Sequence, residues 1–167
     1  MSGMGDRTMS DREVLDRTTG DRTMSDREVL EFLLASPPRP AVLSTVRPDG
    51  APHAAPVWYD LDGTDLHTGT IVFNTGSATV KAGNIAQDHR VALTVQDDHP
   101  PFSYVSLTGV ARLSDDHDEV RHWATRIGAR YMGLDRAAEF GARNGVPGEL
   151  LVRVRVMHVA ATRDVAG

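Results

Sequence analysis

Apolar residues in this chain alternate with polar ones over short runs more often than they recur at helical spacing, and most of the alternating runs follow one another directly. Residues 41–46 are compact and β-branched, and Arg47-Pro48-Asp49-Gly50 turns the chain, with proline presetting φ and glycine free to take positive φ. Residues 52–60 make the returning strand, and residues 66–74 a third after the turn at Asp60-Leu61-Asp62-Gly63-Thr64, so these three predict an antiparallel meander. Strand character returns at residues 91–96 and 102–113, and again at 150–160, where Leu151, Arg153, Arg155 and Met157 are expected to share a face. Helical period interrupts at four places. Residues 76–87 place Ala78, Ala82 and Ile85 on one side, residues 115–131 do the same with Val120, Trp123, Ala124 and Ile127, and residues 135–144 read as a third helix. The fourth begins near Ser25, an N-cap with Glu28 at the reach-back position of a capping box; its stripe is Val29, Leu30, Phe32, Leu33 and Leu34, and Pro37-Pro38-Arg39-Pro40 ends it. The expected fold is mainly β: a six-stranded antiparallel barrel with peripheral helices. A doubly wound α/β sheet is excluded because strands mostly follow strands.

The head of the chain repeats itself. Eleven residues, 5–15, recur without change at 20–30. Two copies are too few for a solenoid, and each carries little apolar surface. Only the second copy runs on into an apolar stripe. Residues 1–24 are therefore expected to be a duplicated, mobile segment and residues 25–167 the folded domain.

Composition narrows the chemistry. At 167 residues the chain suits one barrel-sized core, and its formal charge of −5 without a basic patch argues against nucleic acid or an anionic membrane as partner. There are no cysteines, which removes disulfides, thiolate metal sites and thiol catalysis. The start of the chain lacks a signal-peptide core, no apolar run approaches a membrane span, and the expected location is the cytoplasm. The seven histidines are scattered, and His117 and His122 diverge on their helix, so no metal site is expected. Gly-x-Gly-x-x-Gly and Gly-x-Ser-x-Gly are absent, and Gly76-Ser77-Ala78-Thr79-Val80-Lys81 lacks the second glycine and the hydroxyl after lysine that a nucleotide phosphate loop needs. No side chain presents itself as nucleophile or general base.

Two segments carry candidate chemistry. Phe73-Asn74-Thr75-Gly76-Ser77 leads into a helix bearing Thr79, Lys81 and Asn84. A strand end, a small-residue turn and a helix N-terminus with a lysine in its first turn could hold a phosphate; the commoner outcome of such a pattern is a capped surface helix with a solvated lysine. Pro56-Val57-Trp58-Tyr59 puts two aromatic rings on opposite faces of a strand, and Phe102-Ser103-Tyr104 puts two on the same face. That face suits a planar ring or a hydrophobic interface equally well.

In this order the segments resemble the pyridoxamine 5′-phosphate oxidase-like split-barrel superfamily, and in particular its branch using the deazaflavin coenzyme F420. The resemblance rests on residues 41–52, 56–59 and 72–75, on Lys81-x-x-Asn84-Ile85-x-x-Asp88-x-Arg90-Val91, on residues 106–113, and on the run from Arg130 to Asn144. It implies a homodimeric oxidoreductase that passes a hydride between reduced coenzyme F420 and a small electron-poor acceptor, with flavin mononucleotide (FMN) as the alternative cofactor. A non-catalytic flavin-binding protein is the other alternative, since the superfamily also holds haem binders. It further implies that Thr79, Val80 and Lys81 meet the cofactor phosphate with Asn74 and Thr75 beside it. Asn84 would brace the helix, His53 and Pro56 would approach the ring or its sugar-alcohol chain, and Phe102 and Tyr104 would come across from the other subunit. Many deazaflavin binders carry arginine where this chain has Thr79.

Overall fold

The computed structural model describes residues 16–17 and 22–167. The strands are β1 (Asp16–Arg17), β2 (Ala41–Val46), β3 (Pro52–Val57), β4 (Asp60–Asp62), β5 (Thr70–Gly76), β6 (Arg90–Gln96), β7 (Tyr104–Ser114) and β8 (Glu149–Thr162). The helices are α1 (Asp26–Leu33), α2 (Val80–Gln87), α3 (His117–Met132) and α4 (Ala137–Asn144), with a short 3-10 turn at Leu134–Arg136. Six strands are six residues or longer, the number expected, and two short ones are added.

The sheet runs β3-β2-β6-β7-β8-β5-β4, and every pair along it is antiparallel. Its two edges, β3 and β4, are consecutive in the chain with only Trp58 and Tyr59 between them. The sheet must therefore curl until its edges nearly meet, and the split of the barrel lies at those two residues. The expected meander is corrected here: the second strand stops at Val57, and β5 pairs with β4 and β8 rather than with β3. The cause is local. Tyr59 turns its side chain into the core at 1% exposure, and side chains serve its backbone in place of a ladder: its N–H donates to Tyr131 Oη at 3.4 Å and its carbonyl accepts from Arg130 Nη1 at 2.8 Å. The third strand also starts late, at Thr70, because the Asp65 carboxylate collects the N–H groups of His67 and Thr68 at 2.8 and 2.9 Å and holds a turn.

Inside, Leu43, Phe73, Leu93, Leu107, Val152 and Val154 form one continuous core with Val29 and Leu33 of α1, each fully buried Val, Leu or Phe worth about 1.5–3 kcal/mol. The expected face Leu151, Arg153, Arg155, Met157 does not persist along β8. The ladder to β7 shifts between Thr108 and Gly109, leaving Met157 as the extra residue of a bulge, so Val152, Val154 and Val156 point inward before it and Val159 and Ala161 after it. Gly109 is what the bulge requires, since a Cβ there would stand 2.3 Å from Arg155 O.

The Ser25–Glu28 capping box forms as expected, with Ser25 N donating to Glu28 Oε2 at 2.7 Å. Upstream of it, Thr23 bridges to Thr162, Met24 is buried, and β1 pairs in parallel with His158 and Val159 of β8. The rest of the duplicated head, with the first copy of the cap at Ser10 and Glu13, lies outside the described residues. Among the described residues no helix is long and apolar enough to cross a membrane.

Candidate functional site

Strand β5 delivers Asn74, Thr75 and Gly76 to the rim of the barrel, and the chain turns directly into α2. Thr79 is the N-cap: its Oγ1 accepts from Ala82 N at 3.3 Å, donates to Gly76 O at 2.9 Å and lies 2.9 Å from Thr75 Oγ1. One hydroxyl thereby ties the strand end to the helix start. α2 is held down by Asn84, 3% exposed, whose Nδ2 donates to Thr45 Oγ1 of β2 at 2.9 Å.

A cavity of about 370 Å³ opens at this helix start. Its floor is Asn74, Thr75, Gly76, Thr79 and Lys81, one wall is Pro56, Val57 and Trp58, and the other is Ala124, Ile127 and Gly128 of α3 with Phe140, Arg143 and Asn144 of α4. Trp58 is fixed by stacking on Tyr131 at 5.0 Å and 3°, with Phe140 tilted against it at 5.7 Å. Arg143 lies over the Phe140 ring at 5.7 Å. Neither Lys81 nor Arg143 enters a salt bridge among the described residues. The Asn74 side chain donates to Val120 O at 3.1 Å, and its buried Oδ1 has no partner among the described residues. The helix macrodipole, two cations without salt bridges, a fixed aromatic wall and an unpaired acceptor are the features to which an anionic ligand with a flat apolar part and a hydrogen-bond donor would be complementary. Burial holds the Glu149 carboxyl above the usual range, and the nearby Lys81 charge opposes that shift.

Of the ten residues expected at a site, Pro56, Asn74, Thr75, Thr79 and Lys81 are brought together in this cavity. Asn84 sits beneath it as a brace. Val80 is on the first turn of α2 but 47% exposed and outside the lining. His53 faces Thr45 across the β2–β3 ladder, and its buried Nδ1 has no partner among the described residues. Phe102 and Tyr104 line a different cavity of about 390 Å³ with Thr94, Gln96, Asp97, Asp98, Ser103 and Val165. The expected strand start at Phe102 is also corrected: Phe102 has φ 57°, which no strand residue adopts, and β7 begins at Tyr104. Alternation at Trp58-Tyr59 allowed one ring to line a groove without saying which, and sequence reasoning missed Phe140 as the rest of that wall and Arg143 as a second cation. Arg143 and Asn144 were visible as the end of a helical run and of the last resembling segment, and nothing in their spacing says which strand end that helix will cover.

Residues 25–163 match the family model for pyridoxamine 5′-phosphate oxidase. No curated protein matches the sequence. Among solved structures, a conserved hypothetical protein from Mycobacterium tuberculosis is 25% identical with a TM-score of 0.75, the match covering 89% of this chain and 92% of that one. A protein described as an F420 reductase is also 25% identical, with a TM-score of 0.58 over 77% of this chain and 94% of that one. The haem storage protein HutZ from Vibrio cholerae shares the fold at 14% identity, with a TM-score of 0.61 over 80% of this chain and 92% of that one. This chain belongs to the pyridoxamine 5′-phosphate oxidase family of split β-barrels.

Proposed function

We propose that the protein is an oxidoreductase that uses reduced coenzyme F420 to transfer a hydride to a small electron-poor acceptor, with FMN as the alternative cofactor. The observation that carries this reading is the convergence of the α2 N-terminus, Lys81 and Arg143 with the Trp58–Phe140 wall in one cavity. The residues present fit such a group: the phosphate goes to the first turn of α2 and Lys81, a hydroxyl of the sugar-alcohol chain to the unpaired Asn74 Oδ1, and the flat ring continues past Pro56. When bound, the cofactor supplies the hydride chemistry. The chain's own residues bind, orient and keep water out. The F420 reductase among the similar structures favours the deazaflavin over FMN.

The active unit in this reading is a homodimer. Tyr104 pairs with Thr162 and Gly76 with Glu149, opposite ends of the same 14-residue strand β8. At about 3.3 Å per residue they stand on the order of 40 Å apart along that strand. Phe102 and Tyr104, both solvent-facing, therefore complete a cofactor site only on a second copy. A further apolar hollow of about 520 Å³ on the sheet, lined by Val46, Ala92, Val110 and Met157 among others, offers a surface for that copy.

Lys81→Ala tests the site. Losing a charge-assisted hydrogen bond, worth about 1.5–3 kcal/mol, should weaken coenzyme F420 and FMN roughly ten- to hundredfold in an equilibrium titration. Unchanged affinity for both ligands places the phosphate elsewhere. Binding of FMN alone by the unaltered protein makes FMN the cofactor, and binding without turnover of any acceptor makes the protein a carrier.

A further inference from the structure

We propose that Trp58 is the platform on which a planar ligand ring stacks in this cavity, and that Tyr131, which does not line it, is the positioning residue that sets the plane of that platform. The proposal rests on the reading of the Lys81 cavity as the cofactor site. Trp58 lies at the split of the barrel, where only it and Tyr59 separate β3 from β4, and it belongs to neither ladder. No side-chain hydrogen bond holds the indole among the described residues. Its orientation is set by ring contacts, the parallel stack on Tyr131 at 5.0 Å and 3° and the tilted Phe140 at 5.7 Å.

Tyr131 acts on this segment twice. It sits in the last turn of α3, and its Oη accepts the Tyr59 N–H at 3.4 Å, one residue along from Trp58, while donating to Arg39 O at 3.0 Å ahead of β2. The hydroxyl thus ties α3 across the split, and the ring covers one face of the indole. Trp58 lines the cavity, Tyr131 does not, and Trp58 is 37% exposed, so the uncovered face is the one presented to a ligand. Phe140, at 51° to the indole, closes the edge of that platform and offers no second parallel face. A flat ring laid on Trp58 becomes the third layer of a stack with the indole in the middle.

Stacking needs a face that is already held. An exposed indole free to turn must give up that freedom when a ligand arrives, whereas one stacked on a neighbouring ring has given it up on folding. Tyr131 therefore raises affinity without touching the ligand. Its two parts divide the work: the ring governs affinity through Trp58, and the hydroxyl governs the stability of the split.

The experiment titrates the unaltered protein, Trp58→Leu, Tyr131→Leu, Tyr131→Phe, the Trp58→Leu/Tyr131→Leu double variant and Lys81→Ala with riboflavin, FMN and coenzyme F420. Riboflavin has the flat ring of FMN without its phosphate, so it reads the platform apart from the phosphate site. Trp58→Leu should weaken each ligand that binds by about three- to tenfold and Tyr131→Leu by about two- to fivefold, with no further loss from Tyr131→Leu in the Trp58→Leu background. Tyr131→Phe keeps the ring and should restore affinity while lowering the denaturant midpoint. Trp123→Phe leaves Trp58 as the only tryptophan, and in that background the ligand-free emission anisotropy should fall with Tyr131→Leu and recover with Tyr131→Phe. Tyr131→Met takes the place of Tyr131→Leu if the latter does not fold. Equal losses from Tyr131→Leu with and without Trp58→Leu indicate a general loosening and overturn the positioning role, as do unchanged anisotropy or an affinity that Tyr131→Phe does not restore. Unchanged affinity in Trp58→Leu overturns the platform. Lys81→Ala separates the two readings: weaker FMN with unchanged riboflavin keeps the phosphate site whatever happens at Trp58, whereas an unaltered protein that binds none of the three ends the cofactor reading and the platform with it.

Discussion

The cavity at the start of α2 and the hollow around Phe102 and Tyr104 differ in kind. The first is assembled from β3, β5, α2, α3 and α4, its aromatic wall is locked by stacking, and its lining includes two cations, Lys81 and Arg143, that enter no salt bridge among the described residues. The second comes from the ends of β6 and β7 and the C-terminal residues, with two aromatic rings about 40% exposed and the charged side chains of Asp97 and Asp98 beside them. Asp97 is already engaged, held below the usual carboxylate range mainly by the His99 N–H and by Arg39 at 2.8 Å. A walled cavity and a pair of half-exposed rings at a distance on one chain are the two features on which the proposed homodimer, with its site shared between protomers, rests.

Complementation between two variants tests most directly whether the two cavities form one site across a homodimer. Lys81→Ala destroys the first half and Tyr104→Ala the second, so each homodimer alone should bind cofactor weakly. Unfolding and refolding the two together should give half heterodimers, each with one intact site, and restore about a quarter of the wild-type binding capacity. Cofactor titration of the refolded mixture reads this number, and recovery no greater than the sum of the parents would put both halves on one chain.

Stability changes should divide along the same line. A Cβ at Gly128 would stand 2.4 Å from Phe140 Cβ, so Gly128→Ala must push α4 off α3 and carry the Phe140 wall with it. The expected cost is about 1–3 kcal/mol in denaturant unfolding, accompanied by weaker cofactor binding. Thr79→Arg removes the hydroxyl that joins Thr75, Gly76 and Ala82, at a cost of about 1 kcal/mol. It also adds the cation that many deazaflavin binders carry there. Tighter coenzyme F420 binding in a less stable protein is the expected pair of results; looser binding would show that the threonine cap shapes the site more than the missing charge does. Glu149→Gln, by contrast, should be slightly stabilising at neutral pH. A partly buried carboxyl whose pKa desolvation raises gains stability as pH falls and loses it as pH rises, and the amide removes that loss.

Sequence pattern revealed most of the barrel because alternation and turn chemistry are local. The turn at Arg47–Gly50, the Ser25 cap and the change of period at α2 each depend on residues a few positions apart. Trp58 and Tyr59 were legible as an alternating pair, and Tyr59 does fill the core while Trp58 lines the cavity. That the same pair splits the barrel was not legible, because the partners serving Tyr59 are Tyr131 and Arg130, more than seventy positions on. Arg143 was hidden in the same way. The bulge at Met157 had a faint trace in Gly109, a glycine inside a strand, but its partner residue lies on another strand.

Phe102 holds φ 57°, a conformation that a bulky side chain adopts at a cost of about 1 kcal/mol or more, yet the ring is 41% exposed and recovers little of that by burial. Its backbone is fully used, with the N–H donating to His99 O at 2.9 Å and the carbonyl accepting from Val165 N at 2.8 Å, so the conformation is imposed by the loop and the C-terminal residues. A residue that tolerates this region should therefore be neutral or stabilising. Phe102→Asn keeps the backbone bonds, loses little packing, and is expected to leave unfolding free energy unchanged or raise it by about 0.5–1 kcal/mol. If the ring lies over a cofactor held by another protomer, the same substitution should weaken cofactor binding severalfold while leaving the dimer intact by light scattering. Destabilisation of more than about 1 kcal/mol with unchanged binding would mean that Phe102 packs within its own chain, and of this pair Tyr104 alone would be left to cross.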